Sequence, residues 1–185
     1  MVSTSEIRRG MTIDLDGQLL KILEVDHQKI GRGSAQVKIS FRNLRTGANT
    51  VNTFQAGAKF NDVRLERETD QYQYQDGEEF HFMNTETFDQ VMLRDDQIGD
   101  VKYYIREGDT VDILTYNGEP IDLEIPPSVI LEITNTEPGI KGDTATGATK
   151  PAMTETGLRV LVPLFVNTGD KVKVDTRTGK YVERA

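Results

Sequence analysis

The chain has 185 residues, 36% of them hydrophobic, with seven Phe, six Tyr and no Trp, a supply that suits several small cores better than one large one. The lack of cysteine excludes disulfide frameworks, thiolate metal clusters and cysteine nucleophiles, and His27 and His81, the two histidines, are too few for a histidine-built zinc site. The net charge of −8 is unevenly spread: divided at residues 63 and 128, the three parts carry +3, −12 and +1, an asymmetry that bears on partners more than the total does.

The opening MVSTSEIRRG has no apolar signal core, and the longest apolar run, Val160–Val166, is far short of the about 20 residues that span a bilayer. A soluble cytoplasmic protein without a membrane partner is expected. Helical periodicity is nearly absent. Short alternating runs separated by glycine turns predict an all-β chain of three small barrels, over 1–63, 64–128 and 129–185.

In chain order, Gly10–Gly17 reads as a turn glycine, a strand and a second turn glycine. Leu19–Asp26 and Gln36–Leu44 then read as the two strands of a long hairpin, the second alternating Val37, Ile39 and Phe41 with Lys38, Ser40 and Arg42. Its tip, His27–Ala35, carries Lys29 and Arg32, and Gly31 and Gly33 free the backbone on both sides of the guanidinium. No acid occurs between Asp26 and Asp62, while Lys29, Arg32, Lys38, Arg42, Arg45 and Lys59 fall inside that window. This is the footprint of an anionic partner, to be weighed against an ordinary basic face. The tip lacks the glycine spacing of a nucleotide cradle, GxxxxGK[ST] included. His27 has no orienting Ser or Asp nearby in sequence.

Short helices are predicted around Phe54–Phe60 and Arg94–Gly99. A soft junction near Asp62–Glu66 leads into the acidic part, whose Glu78-Glu79 and Asp95-Asp96 pairs match no EF-hand spacing and read as a solvated face. Gly108–Gly118 aligns without a gap to Gly169–Gly179, sharing Gly108/Gly169, Asp109/Asp170, Val111/Val172, Thr115/Thr176 and Gly118/Gly179. The match reads either as a repeated barrel, with Gly10–Gly17 a weaker third copy, or as general hairpin grammar. Pro126-Pro127 marks the second junction, because consecutive prolines donate no amides to a ladder.

Three segments carry a family resemblance. Lys29-Ile-Gly-Arg-Gly-Ser-Ala35 resembles the modified hairpin of bacterial elongation factor P, Lys150-Pro-Ala-Met-Thr-Glu-Thr-Gly-Leu-Arg-Val-Leu-Val-Pro-Leu-Phe-Val166 is similar to that family's carboxy-terminal signature, and Val174–Ala185 to its closing strand. The resemblance covers the whole chain. It implies an SH3-like, KOW-type barrel followed by two OB barrels, and a non-enzymatic translation factor without a cofactor. Such a factor binds the ribosome across both subunits between the peptidyl and exit sites, contacts peptidyl-tRNA, and relieves stalling at consecutive prolines by orientation alone. By the same resemblance Arg32, Lys29, Gly31 and Gly33 lie at the CCA end, and Lys38, Arg42 and Arg45 follow the RNA backbone. Gly142-Asp143-Thr144 meets the exit-site codon of the mRNA, and Tyr181 and Arg184 lie near RNA, although an aromatic in a terminal strand is as often packing.

The chain departs from many family members in having Ile30 for Pro and Arg32 for Lys. A guanidinium cannot be the amine acceptor for lysyl chemistry, so a β-lysyl extension of Arg32 is excluded, leaving rhamnosylation by an arginine-modifying enzyme or an unmodified side chain. Two other readings stand beside this one: a paralogue or general RNA-binding KOW/OB protein without polyproline rescue, and a hydrolase built on carboxylates such as Glu78 or Asp96. A monomer is expected, since the charge of the middle part disfavours self-association.

Overall fold

The computed structural model of the protein describes residues 1–28, 35–139 and 147–185. Three antiparallel sheets follow one another along the chain. The first has β1 (Val2–Ser3), β2 (Thr12–Leu15), β3 (Gln18–Gln28), β4 (Gln36–Asn43), β5 (Asn49–Gln55) and β6 (Lys59–Asp62), in the spatial order β1-β6-β2-β3-β4-β5. The second has β7 (Glu66–Asp76), β8 (Glu79–Asn84), β9 (Gln90–Arg94), β10 (Thr110–Tyr116) and β11 (Glu119–Glu124), ordered β11-β10-β7-β8-β9. A short helix, α1 (Asp95–Ile98), and a 3₁₀ turn (Gly99–Tyr103) precede β10. The third has β12 (Ser128–Thr136), β13 (Thr149–Thr154), β14 (Arg159–Pro163), β15 (Lys171–Asp175) and β16 (Tyr181–Arg184), ordered β14-β13-β12-β15-β16.

The second and third units share one strand order, that of a five-stranded Greek-key OB barrel. The matching glycine segments are the fourth strand of each, β10 and β15, with their flanking turns. Their common residues have a structural job. Gly108 and Gly169 both sit at φ 90°, donate to the Tyr72 and Ile133 carbonyls (2.7 and 2.8 Å), and are followed by Asp109 and Asp170, whose carbonyls take the Tyr72 and Ile133 amides. Each aspartate also accepts, through Oδ2, the amide three residues before it, Arg106 or Asn167, at 2.8 Å. The long first strand bulges just beyond this clamp, between Tyr72 and Tyr74 or between Ile133 and Asn135, and so bends around its core. Gly10, also at φ 90°, repeats the clamp on Ile22 in the first barrel, with a bulge before Glu24. The third echo is therefore structural as well.

Each barrel buries its own cluster: Ile22, Ile39 and Phe41 with neighbours in the first, Phe80, Phe82 and Ile113 in the second, Ile133, Val162 and Val172 in the third. The predicted helix at Arg94–Gly99 is present as α1, where the Gln97 side-chain oxygen takes the Arg94 amide at 3.0 Å. The helix predicted over Phe54–Phe60 is absent. β5 runs to Gln55, Gly57 turns the chain at φ 89°, and β6 starts at Lys59. The turn brings Phe54 and Phe60 edge to face with centroids 4.9 Å apart, a tertiary contact that outweighs their local spacing. No helix among the described residues is long and apolar enough to cross a membrane.

Candidate nucleic-acid interface

The basic arm is a hairpin whose second strand also pairs with β5, from Gln36↔Gln55 to Arg42↔Asn49. β3 and β4 pair in register from Leu20↔Asn43 to Gln28↔Gln36. Their roots are held by buried Leu20, Ile22, Ile39 and Phe41. Beyond the bulge the outer face opens, and Asp26, His27, Gln28 and Lys38 are exposed. The six steps of strand from Ile22 to Gln28 run about 20 Å at 3.3 Å per residue, and Val37, opposite His27, is still buried in the first core. Lys29, Gly31, Arg32 and Gly33 lie outside the described residues. Lys38 stands on the outer face opposite Asp26 and Thr53, as the alternation predicts.

Arg42 and Arg45 are placed elsewhere. The Arg42 guanidinium donates through Nη2 to the carbonyls of Asp96 (2.9 Å) and Gln97 (2.7 Å), at the end of α1 in the second barrel. Arg45 pairs with Glu119 at 3.2 Å, and its own carbonyl accepts Arg94 Nη2 at 3.0 Å. Lys21 Nζ lies 2.5 Å from Asp122 Oδ2, with Asp122 buried. Under these contacts Leu19, Leu44 and Ile121 form a small apolar plug between the barrels. Two of the cations read as RNA contacts thus join the first barrel to the acidic second one. Sequence separation hid this, because Arg42 and Gln97 are 55 residues apart.

Where the three barrels meet, a cleft of about 540 Å³ is lined by Arg9, Lys21, Arg42 and Arg177, by Asp100 and Glu124, and by apolar residues such as Tyr104, Leu123 and Ile125. Arg9 is exposed and has no carboxylate within ion-pair distance among the described residues. Arg177 bonds Asp175 Oδ2 at 3.1 Å, which together with the Arg177 and Thr178 amides holds that carboxyl at a pKa of about 2. Neither arginine was anticipated as a site residue; the only sequence signal was the Arg8-Arg9 pair ahead of the Gly10 turn.

Gly142, Asp143 and Thr144 lie outside the described residues, but the two ends of their loop are anchored. Lys150 is buried and donates from Nζ to the Glu137 carbonyl at 2.6 Å, while Thr136 Oγ1 reaches the Pro151 carbonyl at 3.0 Å. Gly139 runs so close to the exit of β14 that a Cβ there would stand 2.6 Å from the Leu164 carbonyl oxygen. Tyr181 packs against the third core, opposite Val174, and Arg184 is exposed on β16. No group of three His, Cys, Asp or Glu able to hold a metal occurs among the described residues.

Known proteins match this chain throughout. Residues 3–60 match the elongation factor P KOW-like domain, residues 65–123 its OB domain, and residues 129–184 its C-terminal domain. The elongation factor P of Moorella thermoacetica is 51% identical over 185 residues, the full length of both chains. Those of Pelotomaculum thermopropionicum and Herpetosiphon aurantiacus are each 48% identical over 184 residues, again at full coverage of both. Among solved structures, eukaryotic translation initiation factor 5A from Methanococcus jannaschii is 18% identical, covering 68% of this chain and 90% of that one at a TM-score of 0.47. With all three barrels matched in order and half of all positions shared with a full-length relative, the chain belongs to the elongation factor P family of translation factors.

Proposed function

We propose that this chain binds the ribosome between the peptidyl and exit sites, touching both subunits, and holds peptidyl-tRNA so that peptide bonds form at consecutive prolines. The observation that carries the reading is the basic β3–β4 hairpin with the strand beside it, acid-free from residue 27 to 61. With no acid among them, its cations can approach RNA that the acidic second barrel would repel. Arg32 and Lys29 act at the CCA end, with Gly31 and Gly33 letting the backbone come close. Lys38 supports the arm against phosphate. Arg42 and Arg45 support it indirectly, by fixing the angle between arm and second barrel. Asp143 and Thr144, with Gly142, meet the exit-site codon from a loop whose ends Lys150 and Gly139 secure. Arg184 adds an exposed charge on the same barrel.

The chain performs no bond chemistry in this reading; its contribution is orientation, which in favourable intramolecular cases is equivalent to effective concentrations of about 10⁵ M and more. It works in the cytoplasm as a monomer with no cofactor, and Arg32 is the residue an arginine-modifying enzyme would meet. The test is peptide yield in a reconstituted translation system, on a message with three consecutive prolines and on one without. A gain confined to the proline message is expected. Equal yields on both, with ribosome binding intact, would instead support a paralogue serving another stall.

A further inference from the structure

The outer face of the second barrel carries a row of side chains that its core does not use. Tyr74, His81 and Met92 stand opposite one another on β7, β8 and β9. The Tyr74 and His81 rings are stacked, with centroids 4.5 Å apart and planes 16° apart. Tyr74 is 47% exposed and Met92 41% exposed. The adjoining turn of β8 into β9 presents Phe88, 68% exposed and at φ 64°. A bulky side chain rarely adopts that left-handed conformation, and the fold gains no burial from it there. An aromatic stack beside a thioether, left in water, is surface in search of a partner.

β8 and β9 are the second and third strands of this OB barrel, and OB barrels commonly seat ligands on that face. An exposed ring there offers its π-face either to a base or to a planar cation. Charge decides between them. One step along the same ladder, Asp76 and Glu79 face each other, with Arg94 beyond. The Arg94 guanidinium is already committed to Asp96 Oδ1 (3.2 Å) and the Arg45 carbonyl (3.0 Å). Among the described residues Asp76, Glu78 and Glu79 pair with no Lys or Arg, and Glu79 has only His81 Nε2 at 3.9 Å. The unit as a whole carries −12. A phosphate backbone is repelled here, whereas a guanidinium finds a flat ring to lie on and a carboxylate at its edge.

We propose that Tyr74, His81 and Met92, flanked by Asp76 and Glu79, form the docking surface for an arginine-bearing segment of a protein partner. The guanidinium lies on the Tyr74–His81 stack, Glu79 takes its N–H groups, and Met92 covers the neighbouring aliphatic stem. This surface is on a different barrel from the basic arm and does not depend on the ribosomal reading.

The test is an NMR titration of the full chain at about 50 mM salt, low enough to leave surface charges weakly screened. Three probes are compared: an alternating Arg-Gly decapeptide, its Lys-Gly counterpart and a ten-nucleotide uridine RNA. The Arg peptide should shift the amides of Tyr74, His81 and Met92 and bind about threefold or more tighter than the Lys peptide, because an ammonium cannot lie flat on a ring. Tyr74→Ser should weaken the Arg peptide about fivefold, the scale of an exposed cation–π contact, with the Lys peptide little changed. Glu79→Gln should weaken both peptides. The side chains point outward, so an unchanged thermal midpoint is expected; should Tyr74→Ser unfold, Tyr74→Leu keeps the bulk and loses only the π-face. The RNA should leave these amides unmoved wherever else it binds. Equal binding of the two peptides, indifference to loss of the Tyr74 ring, RNA shifts on this face, or no peptide shifts there at all would each overturn the proposal.

Discussion

Asp70 makes the second barrel sensitive to pH in a direction that can be worked out in advance. It is fully buried on β7, between Asn84 and Val111, and neither carboxyl oxygen has a hydrogen-bond partner in the described structure. Thr115 Oγ1, buried in the same barrel, is likewise without one. Burial, with a smaller push from the Glu68 charge, raises the Asp70 carboxyl from 3.8 to about 6. The folded state therefore holds this proton more tightly than the unfolded chain does. Below about pH 3.8 both states are protonated and the group costs no ionisation energy. As pH climbs, the unfolded state loses the proton first and folding weakens, until above about 6 the full penalty is present. At 1.36 kcal/mol per pH unit that penalty reaches about 3 kcal/mol, and water reaching the carboxylate on local opening reduces it to roughly 1–3. Asp70→Asn keeps the shape and removes the charge. Hydrogen exchange at the amides of Phe82 and Val111 reads the stability of this barrel alone. The variant should be more stable than the parent by roughly 1–3 kcal/mol at pH 7.5 and nearly level with it at pH 4. A variant equally stable relative to the parent at both pH values would refute the assignment of the cost to ionisation.

The contact between the first two barrels yields a second prediction. Arg42→Met removes two charge-assisted bonds to the Asp96 and Gln97 carbonyls, each worth about 1.5–3 kcal/mol, and should loosen the hinge, visible as reduced alignment of the first barrel relative to the second in residual dipolar couplings. Gly47→Ala places a Cβ 2.3 Å from the Asp96 carbonyl oxygen at a position with φ 73°; it should disturb the same contact, again with both barrels individually folded. Lys150→Met leaves the Glu137 carbonyl without its buried donor, at a cost of about 1–3 kcal/mol. The third barrel should then unfold at lower urea while the first two are unaffected, as separate exchange groups would show.

Local pattern carried most of the fold. The alternation in 37–42 and the glycine turns are period-2 signals that each strand must satisfy by itself, so they were legible. The match between Gly108–Gly118 and Gly169–Gly179 was legible for a sharper reason. Gly108 and Gly169 occupy the same left-handed turn and clamp the same bulged strand, a role only glycine fills without strain. Phe54–Phe60 misled because its aromatic spacing reflects two strands meeting across a turn, and that pairing depends on β4 and β1, distant in sequence. Arg42 and Arg45 show the same limit at the candidate site. An acid-free window records which charges are near in sequence, whereas the carbonyls of α1 that capture Arg42 belong to another barrel. The outward position of Lys38, by contrast, follows from strand alternation alone. The Tyr74–His81 stack escaped notice because each residue, taken alone, reads as ordinary strand composition.

The central claim is that the arm positions a substrate and that most of the affinity comes from the rest of the chain. Arg32→Ala measured in two assays on one preparation tests it most directly: affinity for ribosomes carrying peptidyl-tRNA, and peptide yield on a message with three consecutive prolines. The account predicts a loss of rescue of about tenfold or more, because misplacing a positioning group is felt mainly in the reactive geometry, with ribosome affinity changed by no more than about threefold. Equal losses in the two assays would contradict it, reducing Arg32 to one binding contact among many.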